Sequence, residues 1–180
     1  MANIIDSTYF VGDIMIAQRA DKAVAEKITL FINRYEKEVL QKLLGYELYK
    51  DFTDAISGDT PDQKWEDLKD GVDFTGLDGK LKHWMGFSNE DKLSIISNYV
   101  YYWFQRSEIT SSTGTGEATL NKENAQSASP GAKMQSAWMK IMEWVYELEE
   151  FLNVKKDDYP TFQNHCIPSD FRHTVNVFGI

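Results

Sequence analysis

Two apolar segments govern how this chain folds: LSIISNYVYYWF at residues 93–104 and MQSAWMKIMEWVYELEEFL at residues 134–152. Each repeats apolar residues at intervals of three and four, which is the period of one face of an α-helix. Between them lies SEITSSTGTGEATLNKENAQSASP at residues 107–130, whose Ser, Thr and Gly content suits neither helix nor core. We therefore predict helices over residues 91–106 and about 130–152, joined by a long projecting loop at 107–129.

The predicted helix 91–106 is capped by the polar residues 88–91 and is apolar over more than half its circumference, so we expect it to be central. Its aromatic run, YVYYWF at residues 99–104, could stack single-stranded bases. The sequence shows no basic groove beside it. Packing in the core or between subunits is therefore the favoured interpretation.

Three further helices precede this pair. The helical period is clear over Asp21–Leu44, and Gly45 is a suitable stop for that helix. A shorter helix follows at Tyr46–Ile56. Pro61 then stands at the first position of a third helix, Asp62–Lys69, where its missing N–H costs nothing.

Two other regions carry weaker signals. Residues 1–20 could form a short strand pair or an extended arm leading into the first helix. A segment packed on the core is the favoured interpretation, and an exchangeable arm that reaches a neighbour is the alternative. Residues 71–82 are rich in Gly and Asp and are expected to form an irregular loop. Their acids lack the alternating spacing and the final Glu of a helix–loop–helix calcium site, so no metal is expected there.

The loop 107–129 could be disordered, or it could be a hairpin that orders only against a partner. Gly114-x-Gly116 lacks the third glycine, the lysine and the preceding strand of a phosphate-binding loop. A loop of about 20 residues in a compact domain is uncommon unless it serves a function or is mobile. The loop is therefore the first candidate for a functional element.

Four acids lie on the outer face of the last helix: Glu143, Glu147, Glu149 and Glu150. The simple interpretation is a solvated surface. The more specific interpretation is a like-charged wall beside a DNA channel, along which DNA slides without a grip on its phosphates.

The C-terminal residues 153–180 show little helical character and are expected to form an extended arm. Residues 174–178, TVNVF, alternate and could add a strand to a sheet edge of another molecule. Metal-capable side chains occur in this region, but the segment is short and irregular and the chain has one cysteine, so neither zinc nor a Cys–His pair is expected. The metal-capable residues are His165, Cys166, Asp170 and His173.

The composition excludes several classes of protein. A net charge of −9 opposes a sequence-independent grip on nucleic acid, which needs clustered Lys and Arg. A single cysteine allows no internal disulfide and fits a reducing compartment. No apolar run approaches the roughly 20 residues that a membrane span needs. No cofactor fingerprint is present, and we expect neither a cofactor nor enzyme activity.

The order of parts resembles the head–tail connector family of tailed bacteriophages, the head-completion adaptors. The resemblance covers roughly residues 21–152 and begins with the helix pair around Leu43-Leu44-Gly45-x-x-Leu48-Tyr49. The aromatic helix Ile96-x-x-Tyr99-Val100-Tyr101-Tyr102-Trp103-Phe104 and the loop Ser112-Thr113-Gly114-Thr115-Gly116 follow, and the last helix ends Glu149-Glu150-Phe151-Leu152. The middle section, Gly58–Ser88, and the C-terminal tail are longer than in the simplest members.

The resemblance implies an all-α fold: a bundle of about four to five helices with a long loop or hairpin between the last two and an extended C-terminal arm. Residues 1–152 would form the connector domain and 153–180 the arm. About twelve subunits would assemble into a closed ring with cyclic symmetry, and this ring would lie below the portal protein. The ring would sit at the head–tail junction of the virion, after synthesis in the host cytoplasm.

The implied partners are copies of the same chain, the portal protein, and the next tail or stopper protein. DNA would pass through without specific binding, and no membrane is involved. The expected contacts with neighbours or portal lie in the loop, at Thr113, Gly114, Thr115, Gly116, Glu117 and Leu120, and in the arm, at Tyr159, Phe162, Phe171, Val175, Val177 and Phe178. The alternative function is a helical protein–protein interaction module of a bacterium or prophage.

Overall fold

The computed structural model describes residues 3–58, 60–113, 116–119 and 130–172, without the side chains of 109–119, 130, 163 and 164. This part of the chain is mostly helical, with four α-helices and two two-stranded antiparallel sheets. The helices are α1 (Lys22–Ile56), α2 (Gln63–Asp70), α3 (Ile95–Ile109) and α4 (Pro130–Val154). The strands are β1 (Val72–Thr75), β2 (Leu81–Trp84), β3 (Thr110–Thr113) and β4 (Gly116–Thr119). The mostly helical structure is compatible with the sequence prediction. The two small sheets were not part of the predicted all-α fold.

Helix α1 joins the two helices that the sequence predicted on either side of Gly45. The Asp21 carboxylate caps its start by accepting the N–H groups of Ala23 and Val24 at 2.9 and 3.3 Å. Gly45 has φ 76° and ψ 163°, so the helix is kinked there. The glycine therefore marks a change of direction rather than an end.

Helix α3 packs against both α1 and α4 and forms the centre of the core. Seven of its apolar side chains are at most 5 % exposed: Ile95, Ile96, Tyr99, Val100, Tyr101, Tyr102 and Phe104. The helix begins at Ile95 rather than at Asp91, because the Ser94 hydroxyl accepts the N–H of Ile96 at 3.1 Å and serves as its cap.

The expected irregular loop at 71–82 is wrong, because β1 and β2 form a hairpin there. The register pairs Val72 with Trp84 and Thr75 with Leu81. Phe74 and Trp84 turn inward, and their rings lie 5.4 and 6.1 Å from the ring of Phe151 on α4. Side chains that alternate between core and solvent stabilise the two strands. The Gly- and Asp-rich composition gave no sign of these strands in the sequence.

The N-terminal segment packs on the core as two short 3₁₀ helices, Ser7–Tyr9 and Gly12–Ile14, as the favoured interpretation predicted, and residues 3–20 form no strand pair. The buried Glu36 carboxylate holds this segment by accepting the N–H groups of Ile4 and Ile5 at 2.9 and 3.1 Å. These hydrogen bonds give acceptors to backbone N–H groups that packing on the core removes from water. No helix in the described part of the chain is both long and apolar enough to cross a membrane.

Candidate interaction surfaces

The connection between α3 and α4 contains a hairpin in its first part. Strands β3 and β4 pair from Thr110 with Thr119 to Thr113 with Gly116, and β3 follows α3 without a break. Residues 110–113 and 116–119 of this loop form a hairpin, and its ordering only against a partner stays a prediction. Each strand has one edge without a strand partner among the described residues, and such edges can accept an added strand.

The predicted contact residues of the loop fall partly on this hairpin. Thr113 ends β3, while Gly116 and Glu117 open β4. Gly114, Thr115 and Leu120 lie outside the described residues. A contact with a neighbour or a portal through this loop stays a prediction.

The C-terminal segment folds back onto its own chain up to Arg172. Tyr159, Phe162 and Phe171 are 1, 5 and 1 % exposed. The Tyr159 hydroxyl donates to the carbonyl of Lys64, and two 3₁₀ helices, Pro160–Asn164 and Ser169–Arg172, shape the segment. The structure therefore corrects the expectation of an extended arm over residues 159–172.

The physical reason is that aromatic side chains without a helical period can still fill a core. The centroid of the Phe171 ring lies 5.8 Å from that of Trp138, with an angle of 8° between the two ring planes, and 5.9 Å from that of Tyr99. It thus joins α3 to α4. Contacts of these three aromatic residues with a neighbouring subunit stay a prediction, and Val175, Val177 and Phe178 lie outside the described residues.

The metal-capable residues of this segment do not come together as a group of ligands in the part of the chain that the structure describes. His165 Nε2 is 2.8 Å from the carbonyl oxygen of Lys42, and its ring lies against Gly45 at the kink of α1. Cys166 is exposed. No group of three or more His, Cys, Asp or Glu that could hold a metal occurs within the described ranges. His173 lies outside them.

A basic and aromatic surface runs along α1 and α3, and the sequence analysis missed it. We call it the α1/α3 face and define it by six residues: Lys27, Leu30, Arg34, Tyr35, Trp103 and Arg106. The Tyr35 and Trp103 rings are parallel within 1° with centroids 5.5 Å apart. The Arg34 guanidinium lies 5.1 Å from the Tyr35 centroid, and that of Arg106 lies 5.3 Å from the Trp103 centroid.

Each ring of the stacked pair thus has a guanidinium over it, at a distance typical of cation–π contacts. Lys27 also lies 5.5 Å from the Phe104 ring and pairs with Glu108. The signal in the sequence was the seven-residue spacing of Lys27 and Arg34. It could not be connected to Trp103 and Arg106 until α1 and α3 were packed together.

The outer face of α4 is not a continuous acidic wall. Glu149 pairs with Arg172 at 2.7 Å, and Glu150 pairs with Lys82 at 2.7 Å. The hydrogen bond from Lys82 holds the pKa of Glu150 below its ordinary value. Half of the predicted acidic face is therefore neutralised by residues distant in sequence.

The other two acids form the remaining negative patch on α4. Glu143 pairs with Lys140 on the same helix at 2.9 Å. Burial raises the pKa of Glu147, and the nearby Glu143 raises it further. Glu147 makes no hydrogen bond or ion pair with a described residue, and electrostatic attraction to His83 and Lys140 offsets only part of the rise in its pKa.

A groove of about 800 Å³ lies between the N-terminal segment, residues 91–93 and the first half of α4. Its lining is mainly apolar, with lysines and aspartates at several points and no histidine or cysteine. Ser136 lines the groove, but its hydroxyl makes no hydrogen bond to a base among the described residues.

No protein-family model, no curated protein and no solved structure matches this chain. A functional assignment depends on the order of its parts and on the surfaces described above.

Proposed function

We propose that this protein is a structural virion protein of a tailed bacteriophage, one subunit of a ring that joins the portal to the tail and continues the DNA channel. The observation that carries the proposal is the β3–β4 hairpin between the central helix α3 and the last helix α4. This is the order of parts on which the connector resemblance rests. In finer terms, the fold would be a helical bundle of the connector type with the hairpin projecting from it.

The hairpin supports a role in assembly for a physical reason. A two-stranded sheet exposes backbone N–H and C=O groups along its edges, and these can pair with a strand of another chain. Its strands are rich in Thr and Ser, with the sequences TSST and GEAT. Such strands bury little apolar area by themselves, so their stability would rise on contact with a partner.

The charge of the chain supports passage of DNA without binding. A net charge of −9 gives DNA no phosphate-neutralising grip. Because Glu149 and Glu150 on the outer side of α4 are paired with basic side chains, this helix alone would not form the wall of a channel.

The proposal is tested with the portal protein of the same phage. Purified chain is mixed with portal rings, and the mass of the product is measured by light scattering. We expect about twelve copies on each portal ring, an added mass of about 250 kDa from the 20.7 kDa chain. A chain that never binds its portal would contradict the proposal.

A matched variant isolates the role of the hairpin. Replacing residues 110–119 with a short Gly-Ser linker should leave the helices folded and abolish portal binding or ring closure. A second variant, Lys22→Glu, changes one exposed charge at the start of α1 and should assemble normally. Normal assembly without the hairpin would contradict its role as an assembly element.

The alternative, a helical interaction module, draws support from the α1/α3 face, because Trp, Tyr and Arg are the residues most often found at binding hot spots. It predicts a stable monomer or dimer that ignores the portal and captures a different partner. The same mixing experiment therefore separates the two functions.

A further inference from the structure

We propose that copies of this chain bind each other head to tail, with the α1/α3 face of one copy against the outer face of α4 on the next. We define the α4 face by four residues: Met139, Glu143, Tyr146 and Glu147. The inference rests on the proposed ring and deepens it by naming the two surfaces that meet.

The α1/α3 face has the composition of a binding surface. Leu30 is 67 % exposed, although it is a large apolar side chain on a helix that buries its other side in the core. Arg34 is one turn further along α1 and is also exposed. Together with the Tyr35–Trp103 stack, these residues present apolar area and a guanidinium to one side of the molecule. Centres of interfaces are enriched in aromatic side chains and arginine.

The α4 face has the complementary composition. Met139 and Tyr146 are 54 and 50 % exposed and lie seven residues apart, so they are on one side of the helix. Glu143 lies between them, and Glu147 follows one turn later. The half-buried Glu147 carboxylate would gain a compensating charge if an arginine from another copy approached it.

The charges of the two elements differ in sign. Residues 22–44 contain five basic and three acidic side chains, and one of these acids, Glu36, is buried. In residues 139–150, the acids not paired with Lys82 or Arg172 are Glu143 and Glu147, and the one basic side chain is Lys140, which pairs with Glu143. Complementary potentials steer association and disfavour contact between like faces. Each face should therefore prefer the other to itself.

The position of the two faces gives the contact its direction. Helices α1 and α4 both pack on α3 and make little contact with each other, and Phe171 lies against Tyr99 of α3 and Trp138 of α4. A contact between two different surfaces is heterologous. Repeating it adds one copy after another until the rotation closes a ring.

The test uses two double variants of the full chain that change only exposed side chains. One is Leu30→Glu with Arg34→Glu, and the other is Met139→Lys with Glu143→Lys. Lys22→Glu is the control, since it makes the same kind of charge change at the first residue of α1, about 12 Å along the helix axis from Leu30. Masses are measured by sedimentation and light scattering up to about 1 mM, which detects weak association.

We expect the native chain to form species larger than a dimer as its concentration rises. Each double variant should associate at least about tenfold more weakly, since both alter hot-spot positions. A mixture of the two variants should recover dimers and nothing larger, because each retains one intact face. The control should behave like the native chain. A chain ending at Arg172 should do so too, because the contact does not need residues 173–180.

Several results would overturn this contact. These are a native chain that stays monomeric throughout, variants that associate like the native chain, a mixture that stays monomeric, or loss of association on removal of residues 173–180. Portal binding is scored separately on the same samples. A chain that binds its portal but fails these tests would contradict the named faces and leave the proposed function standing. A chain that passes these tests but does not bind its portal would contradict the proposed function and support the named faces.

Discussion

Replacing Phe171 with Ala tests whether the C-terminal segment is part of the core. The side chain is 1 % exposed, and its ring lies within 6 Å of the Trp138 and Tyr99 ring centroids. Residues 169–172 reach the core through this ring. The substitution therefore removes the aromatic contact that joins the segment to α3 and α4.

The expected cost follows from burial. Replacing a fully buried phenylalanine with alanine lowers the free energy of unfolding by about 3–5 kcal/mol, through lost transfer energy and the cavity left behind. For a chain of this size, that corresponds to a fall of roughly 6–20 °C in melting temperature. The stacking with Trp138 favours the upper part of the range, because aromatic pairs contribute about 0.5–1.5 kcal/mol beyond burial.

Urea unfolding followed by tryptophan fluorescence measures this loss, because Trp138 lies against the mutated ring. With a denaturant slope of about 2–3 kcal/mol/M, the midpoint should fall by roughly 1–2.5 M. Arg172→Ala is the control. Its ion pair with Glu149 is partly exposed, so removing it should cost no more than about 1 kcal/mol.

A loss below about 1 kcal/mol for Phe171→Ala would refute the reasoning, because exposed positions typically change stability by less than that. It would mean that residues 169–172 leave the core at little cost and act as the arm that the sequence first suggested. Equal losses for Phe171→Ala and Arg172→Ala would lead to the same conclusion.

Two further substitutions test the kink and the N-terminal anchor. Gly45→Ala should cost about 1–3 kcal/mol in urea unfolding, because φ is 76° and the new methyl would lie 2.9 Å from the His165 ring; full native stability would contradict the kink. Glu36→Ala should cost about 1–3 kcal/mol and speed amide exchange at Ile4 and Ile5, whose N–H groups lose their acceptor. Burial raises the pKa of Glu36 above 4.5, so its folded form holds a proton that the unfolded chain releases, and stability should fall as pH rises from about 4.5 through the raised value. Glu36→Gln should remove that fall, and identical pH profiles would contradict the assignment.

The helices could be predicted because their signal is local. Apolar residues at the helical period place α3 and α4 close to their observed bounds, and the two predicted helices flanking Gly45 are the two halves of α1. The β1–β2 hairpin could not be predicted in this way. Its strands have four residues each, and their stability comes from Phe74 and Trp84 packing on a helix about 70 residues away.

The candidate surfaces show the same division. The hairpin position followed from composition, since a Thr-, Ser- and Gly-rich break between two apolar segments has to leave the core. The α1/α3 face could not be predicted from composition, because Arg34 and Arg106 come together only when α1 packs on α3. The acidic face of α4 was overestimated because Lys82 and Arg172 approach it from other parts of the chain.

The amino-acid sequence by itself determined where the helices lie, which sides of them are apolar, and where the chain leaves the core between α3 and α4. These properties depend on neighbours within a few turns along one helix. Only the tertiary structure decided which charges are neutralised, which aromatic rings of the C-terminal segment are buried, and which side chains share a surface. These depend on pairs distant in sequence, such as Phe171 with Tyr99 and Glu150 with Lys82, whose meeting is set by how the helices pack.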